Sequence, residues 1–566
     1  MPQKGDDQSI FPISRWHATL ARARARAVRE GSRGLIDELL SQPDAERFLP
    51  SLPAQELYYA IREIGLADSH DLVALASPEQ VRGFVDLDAW RRDEFLPDRA
   101  LEWIDALIDA GPEKLAAAVE ALDPELVALL LQRQTRIYDL TIEQPPEESE
   151  GHFYPTPDRF YLLDILPGGE DGKRIERFLD WIYRADIELG RKVVMGAKWE
   201  MTSELEEGAY RWRSGRMADL GFVDFYDALE VYQWLDPASV QIGEGSAEAT
   251  GELPSTLPVA VAVELSDRGF FGRVMAAIGE PDEQARVQTA ILVLANRVMA
   301  ADLVEPGDPE AAREAVSRIA AYLGIGLEYL GRGDPLLGTA ALHSIAMVRI
   351  FRVGVSLTLK LKQAAEALVT RTWVSLIEGE ASLLDAPVRE AIGALRLHRP
   401  LNALTSPPRP FANLAEIAEA AKLVEEAALI GVTVQRGLGV DPARVADEVI
   451  AGCSPTRDRI TFATLVGTLL ANALLDRPPA LVPLAPSDLG PLRARAIVDG
   501  RLRPEASARL GQVLDERLAE RSFAAPSAFP RWRRQWIEAL ENTLTPSVIG
   551  SPAGGSSAIT GLLVRA

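Results

Sequence analysis

The sequence predicts a mainly α-helical protein. An irregular α-solenoid-like stack of short helices is expected at the N-terminus, a small mixed segment in the middle, and a large helical domain at the C-terminus. Three observations predict it. Proline and glutamate recur together at helix starts in the first 143 residues, one β-prone run follows at 159–166, and amphipathic stretches fill the chain after 258. With 566 residues, 47% of them hydrophobic and 25% charged, the chain has a globular composition and the length of roughly three domains.

Residues 1–33 form a basic arm, with seven Lys or Arg against three Asp or Glu, although the whole chain carries a formal charge of −23. On a helix Arg15, Arg22, Arg26, Arg29 and Arg33 share one face, which suits docking on an acidic surface of this chain or of a partner. Stacked short helices are expected over 34–143. Ser77-Pro78-Glu79, Gly111-Pro112-Glu113 and Asp123-Pro124-Glu125 each place a capping-type residue before proline and an acid after it. Proline at the first helical position loses only a donor that had no partner, and the acid faces the positive end of the helix dipole. Leu52-Pro53 and Leu96-Pro97 are looser copies, unevenly spaced, so this is a recurring helix start without a fixed repeat length.

Residues 144–150, Gln-Pro-Pro-Glu-Glu-Ser-Glu, read as a linker. The mixed segment 151–236 holds the best strand candidate at 159–166, closed by Pro167-Gly168-Gly169, then helices at about 173–189 and 198–219 and an aromatic stretch at 222–235. A Gly/Pro-rich second linker covers 237–257. The C-terminal domain, 258–545, opens on a possible strand at 258–265. It continues with helices at about 282–303, 309–331, 335–369, 412–431, 459–475, 505–521 and 528–543, and residues 546–566 read as a flexible tail.

Cys453 is the only cysteine, which excludes an intrachain disulfide and any CxxC site. Arginines interrupt the place where a signal peptide would need its apolar core. The best membrane-span candidate, 460–475, has 16 uncharged residues including four Thr or Asn, against the ~20 apolar residues a span needs. A cytoplasmic location is expected.

Catalytic patterns are scarce. No two of the five histidines lie close enough for a helical zinc pair, and neither a Gly-x-Ser-x-Gly elbow nor a Ser-x-x-Lys pair occurs. The run 167–174 imitates a phosphate loop but has Pro167 where glycine is needed, Arg174 where Ser or Thr is needed, and Glu170 and Asp171 facing the anion. No cofactor, metal ligand or catalytic residue is assigned. The densest polar constellation is Glu204, Glu207, Arg211, Arg213, Arg216 and Asp219, with Tyr210, Trp212, Phe222, Tyr226 and Trp234 nearby. Helical spacing permits Glu207 to pair with Arg211, and the arginines could equally line a pocket for a carboxylate or phosphate. Asp86, Asp88, Asp93 and Glu94, interleaved with Arg91 and Arg92, read as a solvated helix start rather than a cation site. Arg531-Trp-Arg-Arg-Gln-Trp536 interleaves bases and aromatics as single-strand binders do, and a helix with Trp532, Trp536 and Leu540 inward explains it as well.

The run Glu56-Leu-Tyr-Tyr-Ala-Ile-Arg-Glu-Ile-Gly-Leu-Ala-Asp68, with 77–81, 86–90 and 204–222, resembles a family of bacterial proteins known only as a domain of unknown function. That likeness extends over most of the chain and implies no activity. Residues 35–143, through 122–131 and the other Pro-Glu starts, are similar to the cytosolic helical repeats of MgtE-type magnesium transporters. This implies a helical stack with a regulatory or docking role and carries no metal ligand. The expectation is therefore a non-enzymatic protein-interaction or regulatory scaffold. The alternative is an enzyme or sensor that binds an anionic metabolite at the 204–219 cluster.

Overall fold

The structure, a computed structural model, describes residues 22, 26, 30–41, 45–52, 54–220, 222–243, 269–279, 281–305, 308–441, 450, 452–545 and 561–565. The strand expected at 258–265 lies outside them. The protein is mainly α-helical and divides into two compact units, Met1–Gly354 and Val355–Ala566.

The first unit begins with helices α1 (Ser32–Leu40), α2 (Ala54–Ile64), α3 (His70–Leu75), α4 (Pro78–Asp88), α5 (Pro97–Ala110), α6 (Pro112–Ala121) and α7 (Pro124–Gln134). Proline sits in the first turn of α4, α5, α6 and α7, as the sequence pattern requires. Each helix is too short to bury enough surface alone. α2 packs on α4, α4 on α6 and α3 on α5, around a core in which the Phe84 and Trp103 rings are 5.0 Å apart and Tyr58 lies 6.0 Å from Trp103.

Strand β1 (Thr135–Asp139) starts directly after α7, and with β2 (His152–Pro155) and β3 (Tyr161–Ile165) it forms an antiparallel sheet of order β1-β3-β2. β1 pairs with β3 along all five residues, Thr135 to Ile165 through Asp139 to Tyr161. The 144–150 run is therefore the connection between two strands of one sheet, and the boundary expected there is absent. Polar proline runs mark exposed chain, and a strand connection is as exposed as a linker. The two helices expected after the sheet are three: α8 (Gly169–Ala185), α9 (Ile187–Trp199) and α10 (Thr202–Asp219). Asp186 makes the extra break by accepting from the Glu188 and Leu189 N–H groups at the start of α9. α7 packs against α9 and α10, and α8 against α5 and α6.

Helices α11 (Gly269–Ala277), α12 (Pro281–Ala301), α13 (Pro309–Leu330), α14 (Pro335–Ser344) and α15 (Met347–Val369) follow. The stretch 335–369 is thus two helices, and the boundary between units falls inside α15 rather than at 237–257. In the second unit, α16 (Leu414–Val432) runs into a π-turn at Thr433–Gly437, and α17 (Phe462–Leu474) packs against α18 (Pro504–Glu520) and α19 (Phe529–Leu544). α17 is apolar on every side and nearly all of it is buried, which explains its uncharged sequence without a membrane. Among the described residues no helix is long and apolar enough to cross a membrane.

The expected flexible tail needs a correction at its end. Leu562 and Leu563 are fully buried, and strand β5 (Val564–Arg565) pairs antiparallel with β4 (Cys453–Ser454). Residues 546–560 lie outside the described residues.

Candidate functional site

The site predicted on α10 forms where that helix meets α4 and the start of α7. Leu205, Ala209, Arg213 and Met217 form a buried stripe at four-residue intervals, with Arg213 in its third position. An arginine there must find acceptors, because an unpaired buried charge is costly. Arg213 Nε donates to the Asp86 carbonyl at 2.8 Å and Nη1 to the Arg92 carbonyl at 3.3 Å, while its guanidinium lies 5.3 Å from the Trp90 ring. Burial lowers its basicity, and the Asp86 charge counteracts this.

Arg216, one turn on, makes four hydrogen bonds to two carboxylates. Nε and Nη2 donate to Asp86 at 2.6 and 2.9 Å, and Nη1 and Nη2 to Asp123 at 3.0 and 2.6 Å. The planar fork satisfies both acids at once, which a lysine could not do. Burial opposes the Arg216 charge, yet the hydrogen bonds and charges of Asp86 and Asp123 outweigh it and raise the pKa. Burial also pushes Asp86 above the ordinary carboxylate range, with Arg216 and Arg213 pulling it back. Asp123 precedes α7 at the capping position, but its side chain caps nothing and turns to Arg216 instead.

The other four predicted residues go elsewhere. Glu204, Glu207, Arg211 and Asp219 are exposed, and Arg211 lies 5.5 Å from the ring of its neighbour Trp212. Of the nearby aromatics, Phe222 is buried and Tyr210, Trp212, Tyr226 and Trp234 are exposed. The structure therefore brings together Arg213 and Arg216 and adds Asp86, Asp123 and Trp90, which the sequence reading did not attach to them. The one signal in the sequence was the charged residue in an otherwise apolar four-residue stripe.

Asp86 and Asp88 are not at a solvated helix start. They close the C-terminal end of α4 and are buried. Asp88 accepts from Tyr58 Oη at 3.0 Å and Trp103 Nε1 at 2.9 Å, with Arg62 at 3.7 Å. The phosphate-loop imitation is occupied by its own acids, since Lys173 pairs with Glu170 at 2.8 Å and Arg174 with Asp171 at 3.1 Å, and Arg174 also reaches Asp105 on α5 at 2.6 Å. In the basic arm, Arg22 lies 3.6 Å from Glu38, and Arg26 lies 2.8 Å from Glu30 and 3.6 Å from both Asp37 and Glu38. Trp532, Trp536 and Leu540 face inward from α19, with Trp532 Nε1 donating to Glu426 at 2.9 Å.

Fold and cluster together define a mainly α-helical protein with a partly buried ion network that joins three helices of one unit. The chain belongs to the family of unknown function DUF6178, whose model matches residues 14–550. No curated protein and no solved structure matches it, and a likeness of 35–143 to MgtE-type helical repeats is not shown.

Proposed function

We propose that the protein is an interaction or regulatory scaffold that works by binding a protein partner, without chemistry of its own. The observation that carries this reading is the exposed apolar end of one face of the β1-β3-β2 sheet, a face whose other end is closed by Asp164, buried beneath Ser149, Glu150 and Gly151, which donate to its carboxylate. Side chains alternate across a strand. Ile137, Leu163 and Tyr154 stand in register on one face and are buried. The other face carries Tyr138 and Leu162 in register, with Phe153 beside them, all half-buried. Beyond them Leu140 and Phe160 are 39% and 44% exposed, and Leu166 is 36% exposed. Exposed apolar surface of this kind marks interaction sites. The chain crossing beside this face carries Glu147, Glu148 and Glu150, all exposed, so the fitting partner has an apolar patch with a basic rim.

A metabolite anion at Arg216 would have to displace two carboxylates that already fill its donors, which favours the binding reading over the pocket reading. The test is a comparative capture from the cells that make the protein. Leu140→Ser with Phe160→Ser should keep the helical circular dichroism of the parent and lose the partner that the parent recovers. Equal recovery by parent and variant, or turnover of a metabolite by the purified chain, would defeat the proposal.

A further inference from the structure

Residues 561–565 lie in the second unit and end in strand β5. Leu484 donates its N–H to the Leu563 carbonyl at 2.9 Å and accepts from the Arg565 N–H at 2.8 Å. On the opposite side Cys453 and Ser454 pair with Arg565 and Val564. From the floor, Thr468 Oγ1 on α17 accepts the Leu563 N–H at 2.9 Å while donating to the Thr464 carbonyl at 2.8 Å. An extended segment thus finds strand partners on both edges and a side-chain acceptor beneath, the set of contacts by which a sheet edge captures a peptide. Leu562 and Leu563 are fully buried and Val564 is 7% exposed.

Two close approaches fix which residues can enter. A Cβ on Gly561 would sit 1.9 Å from Thr543 Oγ1, and a Cβ on Gly467 would sit 3.3 Å from the Gly561 carbonyl. The segment therefore enters beside the end of α19, only a few residues from where the chain left it. Between Thr545 and Gly561 run fifteen residues, nine of them Gly, Ser or Pro.

We infer that the cleft between Cys453–Ser454 and Leu484 is a binding slot for an extended apolar peptide of Gly-Leu-Leu-Val type, and that Gly561–Arg565 fills it as a tethered ligand. Covalent attachment to the same chain raises the effective concentration of the segment at the slot. A free peptide of the same sequence therefore competes poorly with the intact chain and gains access once the tether is cut. The slot lies in the second unit and does not depend on the sheet face proposed above, so either reading can fail alone.

The test inserts a protease-recognition sequence between Gly555 and Ser556 and cuts it in the folded chain. The expected result is that the released tail separates on gel filtration, the body keeps its helical circular dichroism, and a fluorescent peptide Thr560–Arg565 binds the body saturably. The uncut chain should bind the same peptide at least tenfold more weakly, and the peptide with Leu563→Asp should not bind the cut body. If the tail stays bound and will not exchange with labelled peptide, if the body unfolds when the tail leaves, or if cut and uncut chains bind alike, the segment is ordinary core and the slot does not exist.

Discussion

At the scale of single residues, the two arginines of α10 show why charge spacing along a helix was a poor guide. Arg216 stands where four-residue spacing offered it Trp212, yet its partners are Asp123 and Asp86, 93 and 130 residues away. Local pairs are worth only ~0.2–0.5 kcal/mol, so a bidentate partner brought in by the fold easily outweighs them. Removing Arg216 leaves the Asp86 carboxylate buried without its hydrogen-bond donors, with only the Arg213 charge nearby to offset it. Arg216→Ala should therefore cost about 3–5 kcal/mol in urea unfolding, while Arg211→Ala and Glu207→Ala, at exposed positions, should each change stability by less than about 0.5 kcal/mol. Equal effects from all three would mean that the buried network is not what holds α10. A second residue-scale expectation concerns acid. Asp488 accepts from Arg477 Nη1 and Nη2 at 2.9 and 2.7 Å and from the Ala485 N–H at 2.9 Å. These bonds pull its pKa down from 3.8 to about 2. Because the folded value is the lower one, the stabilisation is present above 3.8 and lost as pH falls toward 2, and solvent screening keeps it modest. Asp488→Asn should accordingly show a flatter decline in stability between pH 4 and pH 2 than the parent.

Among the elements, what was legible in the sequence was what is decided locally. Proline in the first turn and an acid beside it act within one turn of helix, and α4 to α7 begin where those residues stand. The strands β1 and β2 were missed because no turn residue separates Gln134 from Thr135 and because a four-residue strand carries little period of its own. Only pairing with β3 distinguishes them from loop. The start of α4 shows a local signal extended by the fold. Ser77 Oγ accepts the Gln80 N–H at 3.1 Å, and Gln80 Oε1 accepts the Ser77 N–H at 2.7 Å. The Gln80 amide then donates to the carbonyls of Leu49 and Leu52 at 2.9 and 2.6 Å. Ser77→Ala should cost about 1 kcal/mol. Gln80→Glu preserves the cap but strips two buried carbonyls of their donor, and should cost about 2–3 kcal/mol. If thermal unfolding ranks the two variants the other way, the amide bridge is not what ties α4 to the preceding turn. A tighter constraint acts between α13 and α15, where a Cβ on Gly326 would lie 2.2 Å from the Ile350 carbonyl and one on Gly354 would lie 2.0 Å from that of Tyr322. Backbone cannot yield as a side-chain tip does, so Gly326→Ala should lose at least about 1–3 kcal/mol to overpacking, despite alanine's better helix propensity.

For the whole molecule, composition and organisation have to be separated. The charge of −23 and the basic arm were visible in the sequence, and part of that arm, Arg22 and Arg26, meets acids of the neighbouring helix α1. The division of the chain was not visible, because Pro/Gly-rich runs report exposed backbone and not the edge of a core. The boundary at Gly354 falls within a continuous helix, where a single glycine does not interrupt the hydrogen-bonded turns. Two compact units, each with its own buried helices, make a single two-state transition an unsafe assumption. The residue variants separate the alternatives, because Arg216 belongs to the first unit and Asp488 to the second. In calorimetry at neutral pH, Arg216→Ala should move one transition down by at least about 5 °C and leave a second in place. On acidification toward pH 3, only the second transition should respond to Asp488→Asn. A single endotherm that shifts as a whole with either substitution would show that the two units unfold as one cooperative body, however separate their cores.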